Sequence, residues 1–331
     1  GLYHYVEWGE QIIKILAVTT EVNNVSYDLA IGGDYIYSTS WAGGLRRFKY
    51  LDENPQWEVI PLPMDSQSTL TCGQIDTENY ELNPKDPKDG GNHNHKGFSV
   101  FYDNNILWVG TAKGINKGVI ENDCINWTHF TTSEGLSGNW VVGIESGATG
   151  LWAISWATES TESTGLSYSS NSGLSWESIK FFSDMSLKIY NLEITDEFIY
   201  ASTILGLYTS IDGEHWELIP QFIDGTGEMI LDNSVYAATM INDLWVGTGD
   251  GLVIRNSEGS VDIYRFWEET VTPQSGTFNF SVYPNPFYLR DYNVFNGDGH
   301  VRFVYNINGS DMINIYDFSM DHVVTLSNSN F

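Results

Sequence analysis

The chain has 331 residues, with 43 Asp and Glu against 15 Lys and Arg, a formal charge of −28. So acidic a polymer is repelled by phosphate backbones and anionic lipid, which excludes nucleic acid as a partner and disfavours a lipid surface. Hydrophobic residues make up 41% and aromatics 14%, too rich for an acidic disordered chain, and no apolar run is long enough to span a bilayer.

In chain order, the sequence opens on Gly1-Leu2-Tyr3-His4-Tyr5 and Val6-Glu7-Trp8, with neither a start methionine nor a signal peptide. These residues read as the third and fourth strands of a repeat unit whose first two strands are missing. Five copies of one phrase follow: apolar or aromatic residues, a small residue, Ser or Thr, a short loop, then Gly-Leu or Gly-Ile. The copies are Tyr35 to Thr39 with Gly44-Leu45, Leu107 to Thr111 with Gly114-Ile115, and Leu151 to Ser155 with Gly165-Leu166. Phe198 to Thr203 with Gly206-Leu207 and Leu244 to Thr248 with Gly251-Leu252 complete the set. The residues after Gly fall at 2, 45, 115, 166, 207 and 252, spaced by 43, 70, 51, 41 and 45.

A period near 43 with four short β-rich segments per repeat is that of a β-propeller blade. In the fourth full repeat the strands are expected at Leu192–Ile194, Phe198–Thr203, Gly206–Ser210 and Trp216–Ile219. The Gly before Leu is expected where a sharp turn leaves no room for a Cβ, and the Ser or Thr where inner strands converge on a narrow channel. The spacing of 70 marks an insertion at 72–98 between strand Trp57–Leu62 and strand Phe98–Tyr102. A smaller Ser/Thr/Glu insertion lies at 157–164.

Two turns, Ser169-Ser170-Asn171-Ser172-Gly173-Leu174-Ser175-Trp176 and Ser210-Ile211-Asp212-Gly213-Glu214-His215-Trp216, resemble the Asp-box of sialidase-like propellers. The resemblance implies that the Asn or Asp caps the turn and that the Trp packs between blades. The Leu-Trp-Val-Gly-Thr phrase resembles the propeller repeats of two-component sensor ectodomains. Sialidase chemistry would need a convergent arginine triad. The six arginines include adjacent Arg46 and Arg47, on opposite faces of a strand, and Arg290 and Arg302, beyond the repeats, so no triad is expected.

After Trp267 the pattern changes. Residues 268–278 read as a linker. Residues 279–331, with Tyr283-Pro284-Asn285-Pro286-Phe287, His300 to Ile307, Met312 to Phe318 and His322 to Leu326, resemble the Ig-like C-terminal modules of type IX secretion sorting domains and of flagellar hook-capping proteins. Such modules carry further strands, so this one is expected to be truncated. The expected architecture is all-β: a propeller over 1–267 of six or more four-stranded blades, the first incomplete, and then a partial Ig-like β-sandwich.

In propellers the loop at 72–98 and the connections after second strands share a face. Trp41, Lys113, Trp156 and Asp250 are therefore candidate ligand-binding residues, although such tryptophans also seal blade contacts. His93, His95 and Asp89 are candidates for a divalent metal, against a plain reading in which the histidines bond backbone carbonyls. Calcium is a second candidate ion, at Asn296–Gly299 or Asp243. Cys72 and Cys124 are a candidate disulfide, provided the insertion descends the outer edge of the ring. The functional expectation is a secreted or cell-surface, non-catalytic protein binding other chains, including copies of itself, or building an extracellular assembly. A glycan-binding or polysaccharide-active propeller and a sensor ectodomain are the alternatives.

Overall fold

The computed structural model describes residues 25–264 apart from 76–79, 148–149, 226 and 228, together with 7–8, 11–12, 280–283, 302–305, 312–316 and 322–327. Its contacts divide the chain into two units, Gly1–Tyr264 and Arg265–Phe331.

Among the described residues of the first unit, five antiparallel sheets have their four strands in sequence order, innermost to outermost. Blade 1 is Ser26–Gly32, Tyr35–Ser40, Gly44–Lys49 and Trp57–Ile60. Blade 2 is Gly97–Asp103, Ile106–Thr111, Gly114–Glu121 and Cys124–Phe130. Blade 3 is Trp140–Gly147, Gly150–Trp156, Gly165–Ser169 and Glu177–Ser178. Blade 4 is Ile189–Ile194, Ile199–Thr203, Gly206–Ser210 and Glu217–Leu218. Blade 5 is Val235–Ile241, Asp243–Thr248, Gly251–Arg255 and Val261–Tyr264. The fourth repeat thus has its strands where the repeat phrase places them, with the first extended back to Ile189 and the last shortened.

The core lies between blades. Each interface is built alike: an aromatic residue from the second strand and the residue after Gly in the third strand pack on the first two strands of the next blade. Tyr37 and Leu45 meet Val100, Leu107 and Val109; Trp108 and Ile115 meet Ile144, Leu151 and Ala153. Trp152 and Leu166 meet Leu192, Ile199 and Ala201; Tyr200 and Leu207 meet Ala238, Leu244 and Val246. Full burial of each such aliphatic side chain contributes roughly 1.5–3 kcal/mol. The innermost strands are also stitched together by side chains. Val100 N donates to Asp28 Oδ2 at 2.9 Å, Ala238 N to Asn191 Oδ1 at 3.1 Å and Met240 N to Glu193 Oε1 at 2.9 Å.

The Ser or Thr of the repeat has a role the sequence did not suggest. The Thr203 and Thr248 hydroxyls donate to the carbonyls of Gly206 and Gly251, each at 2.8 Å, while Thr111 Oγ1 lies 3.1 Å from Gly114 O and gives its proton to Asn94 Oδ1 at 2.7 Å. All three accept from the amide two residues on, at Lys113, Leu205 and Asp250, and so tie the turn between second and third strands. At Gly114, with φ +121°, a Cβ would meet the Phe130 carbonyl oxygen, which explains the glycine.

The insertion at 72–98 is anchored at both ends. Just before it, Thr69–Leu70 pairs with the outermost strand of blade 2, Leu70 opposite Trp127, as a fifth strand that covers that edge. The chain thus runs down the outer circumference, and Cys72 and Cys124 are joined with their Cα atoms 5.9 Å apart. A six-residue helix, Lys180–Met185, bridges blades 3 and 4 and buries Phe182.

In the second unit, Phe280–Tyr283 pairs antiparallel with Arg302–Tyr305, and Met312–Tyr316 with His322–Ser327. The linker at 268–278, residues 284–287 of the Tyr-Pro-Asn-Pro-Phe phrase, the calcium candidate at 296–299 and the opening Gly1 to Val6 lie outside the described residues.

Candidate functional site: an aromatic arc at the channel mouth

Every innermost strand of the five blades has a register shift near its start. The shifts fall between Ser26 and Asp28, Gly97 and Ser99, Val141 and Gly143, Ile189 and Asn191, and Val235 and Ala237. The residue skipped by the ladder is Tyr27, Phe98, Val142, Tyr190 and Tyr236 in turn. A bulge re-aims its extra side chain, and here it does so at the same level in each blade, aromatic in four of five.

The re-aimed rings join neighbours. Tyr27 and Phe98 lie 5.4 Å apart, and Phe98 and Trp140, 5.3 Å. Trp41 packs edge-on against both Phe98 and Trp140, each at 5.4 Å. Trp140 is the register partner of Trp156, which lies 6.3 Å from Tyr190, and Tyr190 lies 5.1 Å from Tyr236. The arc therefore runs along all five blades. Tyr27 and Tyr236 are exposed; Trp41, Trp140, Trp156 and Tyr190 are half-buried.

Lysines sit on the rings: Lys96 Nζ is 5.3 Å from the centre of Trp41, and Lys188 Nζ is 3.9 Å from Trp156 and 5.2 Å from Tyr190. Burial lowers the pKa of Lys96. Lys113 lies beside them, since Ala112 N donates to Lys96 O at 3.0 Å. Lys96 also faces the carboxylates of Asp86 and Asp65. Deeper along the innermost strands are Asp28, Glu145 and Glu193. Burial, reinforced by Asp28 and Glu193, pushes the Glu145 carboxyl up to about 7.

Of the four residues nominated as ligand-binding, Trp41, Lys113 and Trp156 belong to this mouth. Trp156 also spends its Nε1–H on the Ile189 carbonyl at 2.9 Å. Asp250 does not: it is buried, and its Oδ2 accepts from Leu231 N at 2.9 Å, a loop-fixing bond. The metal set His93, His95 and Asp89 is not brought together. His95 is buried, its Nδ1 accepts from Asn83 N at 3.0 Å, and burial lowers its pKa. The His93 ring instead lies 3.8 Å from Asp86, and Asp89 is exposed. Among the described residues no three His, Cys, Asp or Glu side chains converge. The short turn that carries the histidines is built for structure. Asp65 accepts from the amides of His93 and Asn94 at 3.0 and 2.7 Å. The fully buried Asn94 amide bonds Pro63 O, Asn116 and Thr111.

A second concavity lies at the perimeter between the outermost strands of blades 1 and 2, beside the disulfide, with Arg47, Glu58, Ile75 and Trp127 among its walls. Arg47 already pairs with Glu58 at 2.9 Å and with Asp123 O at 3.1 Å.

Sequence reasoning missed the bulge aromatics. A signal was available: Tyr27, Phe98 and Tyr190 stand nine residues before Ile36, Leu107 and Ile199, the residues that precede the second-strand aromatics Tyr37, Trp108 and Tyr200.

These features define a β-propeller. The chain is similar to the extracellular domain of the BT4673 hybrid two-component system of B. thetaiotaomicron, with TM-score 0.50 and 14% identity over 79% of this chain and 30% of that one. It is similar also to PorZ, a surface component of the type-IX secretion system of Porphyromonas gingivalis, with TM-score 0.50 and 14% identity over 90% of this chain and 45% of that one. At this identity the likeness shows the fold, and the chain spans less than half the length of either protein. No family model and no curated protein matches the sequence.

Proposed function

We propose that this chain is a secreted or cell-surface β-propeller that binds a ligand without chemical turnover, and that the aromatic arc at the channel mouth is the binding surface. The observation that carries the reading is the bulge repeated in five innermost strands, which turns four aromatic side chains toward one mouth that also carries Lys96, Lys113 and Lys188. Flat rings offer stacking area at low conformational cost, and ammonium groups on their faces offer donors to hydroxyls and carboxylates. That combination suits a glycan, whose sugar faces stack while its polar rim accepts hydrogen bonds. The C-terminal residues 279–331, read as a partial Ig-like module after the linker 268–278, would serve export or anchoring outside the cell. The wider range of the solved relatives supports an extracellular place, since one is a two-component ectodomain and the other a surface component.

The test is equilibrium binding of the whole chain to a panel of neutral and uronic-acid polysaccharides. A positive result is binding that Trp41→Ala and Tyr190→Ala each weaken at least tenfold while Tyr50→Ala, on the periphery, leaves it unchanged. Binding indifferent to Trp41 and Tyr190 would remove the arc from the function. A second reading, assembly through protein contacts, is favoured by the exposed apolar faces of blades 1 and 5, and light scattering separates the two.

A further inference from the structure

Among the described residues two histidines are buried, His95 and His129, and their surroundings differ in kind. His95 has complementary neighbours. Its Nδ1 accepts from Asn83 N at 3.0 Å, and its Nε2 lies 3.4 Å from the Tyr80 hydroxyl, whose oxygen accepts a proton donor. A neutral ring serves both. His129, in the fourth strand of blade 2, meets two carbonyls instead. Its Nδ1 lies 3.2 Å from Gln67 O and its Nε2 3.0 Å from Lys113 O. A carbonyl oxygen only accepts, and neutral imidazole has one N–H. The neutral ring therefore bonds one carbonyl and turns a lone pair on the other. Only imidazolium bonds both.

The two carbonyls belong to separate elements, each fixed by bonds of its own. Gln67 closes a turn, with its N donating to Met64 O at 2.9 Å and its Oε1 accepting from Met64 N at 2.8 Å. That turn leads into Thr69–Leu70, the strand that covers the edge of blade 2, and His129 N donates to Ser68 O at 2.8 Å. Lys113 lies in the mouth turn between second and third strands. Its N donates to Thr111 Oγ1 at 3.0 Å, and Ala112 N donates to Lys96 O at 3.0 Å. The His129 residue is 8% exposed, so a carbonyl that its ring fails to bond is poorly compensated by solvent.

Burial lowers the pKa of His129 below the usual 6.5, against the pull of both carbonyls and of the Asp65 and Glu134 carboxylates. Asp65 comes from the Gln67 turn and Glu134 from the short turn after blade 2; Lys113 carries the positive charge of the mouth turn. The unfolded chain takes the proton first, so the stability tied to this group is present above 6.5 and lost as pH falls. Between arrangements of the folded chain the sign is opposite, because the added proton supplies the missing second bond, and a charge-assisted one.

We propose that His129 is a proton-operated clamp between the mouth of blade 2 and its covering strand. Neutral, it keeps the shorter bond, from Nε2 to Lys113 O, and leaves Gln67 O unbonded. Doubly protonated, it ties both carbonyls and so joins the mouth turn to the strand Thr69–Leu70. The clamp does not depend on what the mouth binds.

A nuclear magnetic resonance titration of the whole chain from pH 8 to 4.5 tests it. The His129 ring nitrogens are expected to report the Nε2–H form at pH 8 and a doubly protonated ring at the acid end, with a midpoint below 6.5. The carbonyl carbons of Gln67 and Lys113, read through the amides of Ser68 and Gly114, are expected to shift with that same midpoint, Gln67 by more. In Glu134→Gln the ring midpoint and both carbonyl steps should move down together, and in His129→Gln both steps should vanish. A ring that stays neutral to pH 4.5 would overturn the proposal in the parent chain alone, whether or not the variants fold. So would a step at Lys113 without one at Gln67, or carbonyl steps that stay in place when the ring midpoint moves.

Discussion

Trp108 of blade 2 lies directly against Gly173 of blade 3, so closely that a Cβ on residue 173 would overlap the six-membered ring of the indole. Lys117 completes the contact, with Nζ 5.1 Å from the Trp108 ring centre and bonded to Ser172 O at 2.7 Å. Gly173→Ala is therefore expected to destabilise the chain by about 3 kcal/mol, from left-handed strain plus overpacking. Gly33→Ala has comparable φ, +58°, and open space around it, so it should cost only about 1 kcal/mol. Urea denaturation of both variants separates the terms, and equal losses would mean that the Trp108 contact contributes nothing.

The disulfide closes a 52-residue separation and pins the strand Thr69–Leu70 to blade 2. Replacing both cysteines by Ser should cost roughly 2–4 kcal/mol. Amide exchange should quicken at Ser68 to Leu70 and stay unchanged in blades 4 and 5. A uniform rise across all blades would contradict the local role.

Glu145 gives the fold a pH dependence. Its pKa rises from 4.5 in the unfolded chain to about 7 in the folded one, chiefly by burial and then by Asp28 and Glu193. The folded state binds the proton more tightly, so stability is fully kept below about 4.5 and lost as pH rises toward and past 7. Glu145→Gln should remove this slope and stabilise the chain at pH 8 by up to about 3 kcal/mol. Parallel urea-midpoint profiles of parent and variant between pH 5 and 8 would refute the assignment.

Asn94, fully buried, donates to Pro63 O at 2.8 Å and exchanges bonds with Asn116 at 2.9 and 2.8 Å, while Thr111 donates to it at 2.7 Å. Asn94→Ala strands several of these groups without solvent, and a loss of about 3 kcal/mol is expected. Calorimetry checks it; an unchanged melting temperature would show that water replaces the amide.

The sequence by itself determined the repeat, its period, the third-strand glycines and the turn chemistry of Asn171 and Asp212, because these depend on residues a few positions apart. Asp212 Oδ1 accepting from Glu214 N and His215 N is such a short-range bond. Partner choice across blades was not legible. Nothing in the order of residues says that Phe98 of blade 2 meets Trp41 of blade 1 and Trp140 of blade 3, or that His95 turns inward to Asn83 while His93 turns toward Asp86. Those outcomes follow from bulge geometry and from burial against a neighbouring sheet, and only the tertiary structure decided them. The −28 charge said that the surface is acidic; the fold decided that Lys96 sits on Trp41 and Lys188 on Trp156 and Tyr190, among the aromatic rings that the bulges of four innermost strands re-aim.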